Sequence, residues 1–103
     1  MAICNIIDDP NRTDEEWARI SALVNTSGPV PPDGCRVAVL GRERAITVWD
    51  SAEARDRFLA ERLASAYEAV GRSLDEVTRS QLEVEMLVSG DLAGIAQSAG
   101  SET

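Results

Sequence analysis

The sequence predicts an α+β fold, in which a four-stranded antiparallel sheet of ferredoxin-like βαββαβ order carries two helices on one face. Three short segments alternate apolar and polar residues with the period of a strand. Two longer segments repeat apolar residues at helical spacing behind capping residues, and each lies between two strands. The chain of 103 residues suffices for one domain with a core. We assign residues 1–90 to this domain and 91–103 to a flexible C-terminal tail.

Turn and capping signals delimit the first strand and the first helix. Residues 2–8 form a short apolar segment, and Asp9-Pro10-Asn11 is a turn signal that closes it. Thr13 and Glu16 have the spacing of a capping box, so a helix is predicted to begin there and to end near Gly28. Its predicted buried stripe consists of Trp17, Ile20, Leu23 and Val24.

Residues 35–49 are predicted to form a hairpin. The segment from Cys35 to Leu40 alternates, a tight turn follows, and residues 44–49 return antiparallel to it. Asp50 and Ser51 then offer capping oxygens to a second helix. Its apolar stripe consists of Ala54, Phe58, Leu59, Leu63, Ala66, Tyr67 and Val70. The charged residues Arg55, Arg57, Glu61 and Arg62 are assigned to its solvated face.

The chain completes the sheet after the second helix. Gly71 is predicted to end the helix, and Ser73 and Glu76 have the spacing of one further capped turn. Residues 81–88 alternate strongly and are predicted to form a long fourth strand. The topology gives a sheet order of fourth, first, third, second, so Cys4 and Cys35 lie on strands that are not neighbours. An internal disulfide is therefore not expected.

Alternation divides the strand residues between two faces of the sheet. We expect the helices to cover the purely apolar face, formed by Val37, Val39, Ile46, Val48, Leu82, Val84 and Met86. The other face is mixed and carries Arg36, Ala38, Leu40, Ala45, Thr47, Trp49, Glu83 and Glu85, together with Ile3, Asn5 and Ile7. Such a surface is too apolar for free exposure to water, so we expect a second copy to cover it and form a homodimer.

Charge and hydropathy exclude several classes of partner. The net charge of −8 would repel a phosphate backbone, so no nucleic-acid partner is expected. No apolar run approaches the roughly 18 residues that a membrane helix needs, so no membrane partner is expected either. The first five residues lack the basic and apolar regions of a secretory signal. A cytoplasmic location is the resulting expectation.

The residue inventory also limits the chemistry. The chain has no histidine, and its ten cationic side chains are all arginine, which excludes a Schiff-base lysine and the commonest general base. Cys4 and Cys35 lack paired metal-binding spacing and are interpreted as small core residues. We therefore expect neither a metal site nor a cofactor.

A family resemblance is carried by residues 48–63, where V-W-D-S is followed by a helix of the pattern E-A-x-x-x-F-x-x-E-R-L. This stretch resembles the second half of the dimeric α/β-barrel proteins, a group that includes the antibiotic biosynthesis monooxygenases. The resemblance implies that two protomers pack sheet to sheet and that each encloses a small-molecule pocket. It also implies an active site with an asparagine on the first strand and a tryptophan after the third, and Asn5 and Trp49 occupy those places. Haem-degrading members use a histidine on the second helix, which this chain lacks.

Two glutamates are the candidate acid–base residues. Glu83 and Glu85 project the same way from one strand at a Cα separation of about 6 to 7 Å. Two carboxylates so close in a partly dry pocket repel each other, which makes a general acid or base possible without histidine. The alternative is that both meet solvent, or pair with Arg36 or Arg44 across the dimer.

The candidate substrate-binding residues are Arg36, Thr47, Trp49 and Tyr67. Arg36 could anchor a carboxylate or phenolate, or could form a salt bridge on an edge strand. Trp49 could stack on a substrate ring, although an aromatic residue at a strand end is often structural. Thr47 lies on the same face as Trp49. Only the hydroxyl of Tyr67 is expected to reach the cavity.

Two classes of function remain open. The first is a small cofactor-independent enzyme acting on a hydrophobic aromatic or polyketide-like metabolite, by oxygenation or by proton-transfer isomerisation, cyclisation or lyase chemistry. In it, Asn5 and Arg36 would stabilise an enolate or phenolate and a glutamate would move the proton. The second is a non-catalytic dimeric protein that holds a ligand in the same cavity.

Overall fold

The computed structural model describes residues 1–88 and confirms the predicted order of elements. The strands are β1 (Ile3–Asp8), β2 (Cys35–Leu40), β3 (Arg44–Trp49) and β4 (Thr78–Glu83), and the helices are α1 (Asp14–Thr26), α2 (Ala52–Phe58) and α3 (Ala64–Ala69). A π-helical turn (Leu59–Leu63) joins α2 to α3, so the three pieces form one continuous second helix, and a 3₁₀ turn (Leu74–Glu76) precedes β4. The tail predicted for residues 91–103 lies outside the described residues.

The strands form one antiparallel sheet in the order β2-β3-β1-β4, which is the predicted order. Strand β1 is central and pairs with β3 on one side and β4 on the other. Cys4 and Cys35 consequently lie on strands that are not neighbours, and both are free thiols. The fold class predicted from the sequence is therefore confirmed.

The predicted capping residues begin and end the helices. Thr13 Oγ1 accepts a 3.1 Å hydrogen bond from the Glu16 amide, and Glu16 Oε1 accepts one of 2.9 Å from the Thr13 amide. Ser51 Oγ accepts from the backbone amide three residues later, at the start of α2. Gly71 follows α3 with φ of 78°, a conformation that favours glycine. Local sequence signals thus fix the helix boundaries.

The helices cover the face opposite to the one predicted. On β1 the buried residues are Ile3, Asn5 and Ile7, and on β3 the Trp49 ring lies 5.2 Å from the Phe58 ring of α2. The helix-covered face therefore carries Ile3, Asn5, Ile7, Ala45, Thr47, Trp49 and Gln81. The prediction was wrong because alternation separates two faces without stating which one the helices cover, and both faces of this sheet contain apolar residues.

The other face, which we call the open face, consists of Cys4, Ile6, Val37, Val39, Ile46, Val48 and Leu82. Within residues 1–88 no helix covers it. Val39 is 59% exposed and Leu82 is 54% exposed. Val37, Val39, Ile46, Val48 and Leu82 of this face were predicted to lie under the helices; the structure places them on the face without helices, where Val48 is nevertheless buried.

Two strand irregularities also differ from the expected pattern. Strand β4 was predicted over residues 81–88, but its ladder with β1 ends at the pair Ile3 and Glu83, because β1 itself begins there. On β2 the register shifts between Cys35 and Val37, which leaves Arg36 as a bulge residue without a partner on β3. Both changes move predicted site residues out of the regular sheet.

The helices pack on each other through a small core under the covered face. Ile20 of α1 packs with Ala66 and Tyr67 of α3. Partly buried apolar residues surround this cluster, namely Leu23, Val24, Leu63, Val70, Leu74 and Val77. In residues 1–88, every helix is too short or too polar to cross a membrane.

Candidate functional site

A row of polar residues crosses the covered face of the sheet beneath α2. Asn5 on β1 pairs with Thr47 on β3 and with Gln81 on β4, so the three side chains lie on one face at successive strands. Directly paired positions have Cβ atoms about 4.5 to 5.5 Å apart. Ile3 and Ile7 flank the row on β1 and are buried. Polar groups in such an apolar layer need hydrogen-bond partners, or a ligand that supplies them.

Trp49 is the hydrogen-bond partner of Thr47, at one end of this row. Its indole Nε1 donates a 2.7 Å hydrogen bond to Thr47 Oγ1, and the residue is only 1% exposed. The ring packs against Phe58 at an interplanar angle of 37°. These contacts agree with the interpretation of Trp49 as a structural residue. Thr47 and Trp49 lie beneath the surface of the candidate site and do not form part of that surface.

Asn5 opens onto a cleft between the sheet and α2. The cleft has a volume of about 500 Å³ and is lined by Asn5, Arg55, Asp56, Arg79, Ser80 and Gln81. Asn5 is 4% exposed, and its side chain makes no hydrogen bond to any group in residues 1–88. Within residues 1–88, Ser21 Oγ is the only fully buried side-chain polar atom without a partner, so the Asn5 amide is accessible from the cleft and is free to bind a ligand there. Asn5 is therefore the strongest functional candidate in the described chain.

Arg55 lines the same cleft, although it was predicted to lie on the solvated face of the helix. Its side chain is only 13% exposed. Nη1 donates to Gln81 Oε1 on β4, and Nε donates to Asp56 Oδ1 over 3.0 Å. A signal for this position was present in the sequence, because Arg55 precedes Phe58 by three residues and Leu59 by four.

The two predicted catalytic glutamates have different environments. Glu83 pairs with Ile3 on the helix-covered face and is exposed at the end of β4. It follows Gln81 by two residues, which places their Cα atoms about 6 to 7 Å apart, beside the cleft. Glu85 lies beyond the end of β4 and is exposed. The strand geometry that was expected to align the two carboxylates does not extend to Glu85.

Arg36 lies away from the cleft. It occupies the β2 bulge, its side chain is 67% exposed, and its Nε forms an ion pair with Asp50 Oδ1. Of the two interpretations left open for this residue, the edge-strand salt bridge is the observed one. Arg36 therefore does not line the cleft at Asn5, and anion binding by this residue stays a prediction.

Tyr67 is fully buried and does not reach the cleft. Its hydroxyl donates to Asp9 Oδ2 over 2.8 Å and accepts from Arg12 Nη1 over 2.9 Å. Arg72 donates to both oxygens of Asp9, over 2.9 and 2.8 Å. The hydroxyl is thus committed to a buried network of Asp9, Arg12, Tyr67 and Arg72, which joins the end of β1 to the end of α3. Sequence reasoning missed this network because Asp9 and Arg72 are 63 positions apart.

The network perturbs the acidity of its members. Burial alone would raise the pKa of Asp9, but hydrogen bonds from Arg72 and Tyr67 and the positive charges of Arg72 and Arg12 outweigh it, so the pKa lies below its ordinary value. Burial, reinforced by the hydrogen bond to Asp9, raises the pKa of Tyr67 to about 12. Asp9 is thus a buried anion and Tyr67 a buried neutral donor, as an anchoring role requires.

A second cavity of about 250 Å³ lies where the end of α1 meets the second helix. Arg62 lines it, but its guanidinium is engaged at the end of α1, since it donates to the Val24 carbonyl of the last turn, to Ser27 Oγ over 3.2 Å and to the Pro29 carbonyl over 2.8 Å. In the described part of the chain, no group of three acidic or cysteine side chains could hold a metal ion. The cleft at Asn5 is therefore the candidate site.

Comparisons with known proteins identify the fold. The chain matches no protein-family model and no curated protein. Its structure is similar to that of a Chloroflexus aurantiacus protein described as an antibiotic biosynthesis monooxygenase, with a TM-score of 0.52 and 20% identity over 87% of this chain and 100% of that one. It is also similar to a variant of SnoaB, a cofactor-independent oxygenase from Streptomyces nogalater, with a TM-score of 0.51 and 19% identity over 86% and 96% of the two chains. The chain therefore has the ferredoxin-like protomer fold of these oxygenases, as the resemblance implied.

Proposed function

We propose that the chain is a cofactor-independent oxygenase that acts on an oxygen-rich aromatic or polyketide-like metabolite bound in the cleft at Asn5. The observation that carries the proposal is Asn5, a residue that is 4% exposed and whose amide opens onto the cleft without a hydrogen-bond partner in residues 1–88. All six lining residues are polar or charged, so the ligand offers them oxygen atoms. The fold shared with a cofactor-independent oxygenase supports the reaction class.

In the proposed reaction the side chains do only acid–base and electrostatic work. Glu83, beside the cleft, accepts a proton from an acidic CH₂ group of the substrate. The Asn5 amide donates a hydrogen bond to the oxygen on which the resulting negative charge collects. Dioxygen is the oxidant: one of its atoms becomes the carbonyl oxygen of the product, and the other leaves as water with the two hydrogens of the CH₂ group.

Trp49 and Thr47 take a supporting part in this proposal. Trp49 donates a hydrogen bond to Thr47, so Thr47 already has a partner and does not need the Asn5 amide. The Asn5 amide is therefore available to the ligand. The packing of Phe58 on Trp49 positions α2 over the sheet and so fixes one wall of the cleft.

The proposal includes a homodimer formed through the open face. Val39 and Leu82 are more than half exposed there, and burying such a surface in a second copy removes it from water. The apolar face thus takes the role in the dimer that was predicted for the mixed face.

The test is turnover with and without oxygen. Purified protein is screened by thermal shift against anthrones, hydroxyquinones and unsaturated lactones, and each stabilising compound is incubated aerobically and anaerobically. We expect oxygen uptake with the best ligand, and a loss of about 10²- to 10³-fold in kcat for Asn5→Ala. Asn25→Ala, which removes an exposed amide from α1, is the matched control and keeps full activity.

Other outcomes of this experiment reject the oxygenase. Turnover that continues without oxygen assigns proton-transfer isomerisation, cyclisation or lyase chemistry to the cleft instead. Saturable binding without turnover of any compound assigns the chain to the ligand-binding proteins. Full activity of the Asn5→Ala protein removes Asn5 from the site.

A further inference from the structure

We infer that the cleft binds its ligand through an ionised phenol oxygen, a phenolate, and that Arg55 selects this charged form over the neutral one. The inference rests on the proposed function, because it concerns the same cleft. It adds the charge state of the ligand and a specificity-determining residue.

The guanidinium of Arg55 is already oriented before any ligand arrives. Its Nη1 is bound to Gln81 on β4 and its Nε to Asp56 on α2, so the planar group is fixed from two elements. Within residues 1–88, Nη2 has no hydrogen-bond partner, and the side chain is 13% exposed. A fixed guanidinium with a remaining N–H donor suits an oxyanion, since little rotamer entropy is left to lose on binding.

The Asn5 amide faces the same volume. Gln81, which holds Arg55, is the direct cross-strand partner of Asn5, and the Cβ atoms of such a pair lie about 5 Å apart. One oxygen atom in the cleft can therefore meet both the amide of Asn5 and the free edge of Arg55. The amide supplies a neutral donor and the guanidinium supplies the charge.

The charges around the cleft favour an anion. The chain as a whole carries −8, yet the lining contains two cations, Arg55 and Arg79, and one anion, Asp56. The Asp56 side chain is 66% exposed, and Glu83, two residues beyond Gln81, is exposed as well, so water screens both. Arg55 is mostly shielded from water, and its attraction for a bound charge is correspondingly stronger.

The probe for this inference is 4-nitrophenol, whose phenol and phenolate absorb at different wavelengths. Its binding to the wild-type protein is followed across pH and compared with that of 4-nitroanisole, the neutral methyl ether. We expect the bound phenol to ionise at lower pH than the free phenol. We also expect the phenolate to bind about 10- to 100-fold more tightly than the ether, as a charge-assisted hydrogen bond provides.

Three variants locate the effect. Arg55→Met is expected to remove the preference for phenolate and leave the affinity for the ether unchanged. Arg55→Lys keeps the charge without the planar fork and is expected to restore part of the preference. Arg57→Met removes the same charge from the exposed side of α2 and is the matched control. Thermal unfolding of each variant verifies that it is folded.

The inference is overturned if the wild-type protein shows no saturable phenolate binding, if it binds the ether as tightly as the phenolate, or if Arg55→Met behaves like Arg57→Met. Its failure is separable from that of the oxygenase proposal. Phenolate selectivity without oxygen uptake upholds the inference and rejects the oxygenase. Oxygen uptake with equal binding of the two probes does the reverse.

Discussion

The buried hydroxyl of Tyr67 donates a 2.8 Å hydrogen bond to Oδ2 of Asp9, 58 positions earlier in the chain. The same hydroxyl accepts from Arg12 Nη1, so it is both donor and acceptor within one network. Because Asp9 directly follows β1 and Tyr67 lies in α3, the bond ties the sheet to the helix layer at the end remote from Trp49.

Titration of the single tyrosine tests this bond directly. The chain contains one tyrosine, so ultraviolet absorbance of the phenolate reports Tyr67 alone. We expect a midpoint near the raised pKa of about 12, against an ordinary value of 10.0. The neutral hydroxyl stabilises the fold below pH 10, and this contribution is lost as the pH rises from 10 to 12. A midpoint at the ordinary value would mean that the hydroxyl is exposed.

Substitution of Asp9 is expected to be severely destabilising. In Asp9→Asn the cations of Arg12 and Arg72 lose their buried counter-ion, and removing one partner of a buried pair costs about 3 to 5 kcal/mol. The measurement is urea unfolding at neutral pH. The matched control is Asp8→Asn, because Asp8 pairs with Arg44 at the surface, where an ion pair contributes little. Equal losses in the two variants would contradict a buried network.

The same substitution has a predictable pH dependence. Since the pKa of Asp9 is lowered in the folded state from 3.8, its ionised form stabilises the wild-type protein above about pH 4. That stabilisation disappears as the pH falls through the folded-state pKa. The difference in unfolding free energy between the wild-type protein and Asp9→Asn should therefore shrink in acid, which urea unfolding in a series of buffers measures.

Neighbouring residues on β2 provide a matched test of the dimer. Val39 lies on the open face and Leu40 on the other, and they are 59% and 58% exposed in the protomer. Val39→Asp should dissociate the dimer, because a charge would be buried against the second copy, whereas Leu40→Asp should leave it intact. Light scattering coupled to size-exclusion chromatography measures the mass of each variant. A monomeric wild-type protein, or equal behaviour of the two variants, would contradict the proposed interface.

Two glycines with positive φ should differ in their tolerance of alanine. Gly34 has φ of 84°, and a Cβ there would lie 2.6 Å from Cβ of Ala54 in α2. Gly71 has φ of 78° with no atom within 4 Å of such a Cβ. Gly71→Ala should cost about 1 to 2 kcal/mol for the backbone conformation alone, and Gly34→Ala should cost more because α2 must also shift. Thermal unfolding ranks the two, and a smaller loss at Gly34 would contradict this packing.

Local chemistry explains what the sequence could predict of the fold. The capping pair of Thr13 and Glu16, the cap at Ser51 and the glycine at position 71 act within a few residues, and each lies where it was expected. The hairpin of β2 and β3 has the predicted bounds for the same reason. The sheet order followed from the order of elements, which leaves few ways to connect them.

Local sequence signals could not predict which face of the sheet the helices cover, nor the length of β4. Alternation places Val37 and Val39 on the same face, but both faces of the sheet contain enough apolar residues for the helices to cover either one. The end of β4 depends on where β1 begins, since the ladder stops at the Ile3 and Glu83 pair. Such features are properties of tertiary pairing rather than of a short window.

Part of the candidate site was predictable and part was not. Asn5 was identified through the family resemblance, and the structure places it in a cleft. Arg55 was overlooked because a charged residue in a helix is ordinarily solvated, although its spacing from Phe58 put it on the apolar side. The role of Asp9 depended on Arg72, which is too distant in sequence for any local pattern to connect them.

The π-helical turn has a consequence for how chains of this architecture diversify. In it the Ala64 amide bonds to the Leu59 carbonyl, five residues back, so the second helix holds one residue more than regular winding would require. The π-helical turn holds its extra residue locally, so the helix on either side keeps the faces that regular winding would give it. Deleting Ala60 would therefore return the second helix to regular α-helical winding, with Arg55 still facing the cleft and Tyr67 still bonded to Asp9. A single codon gained or lost at this turn thus changes the length of the helix without rearranging either of its ends.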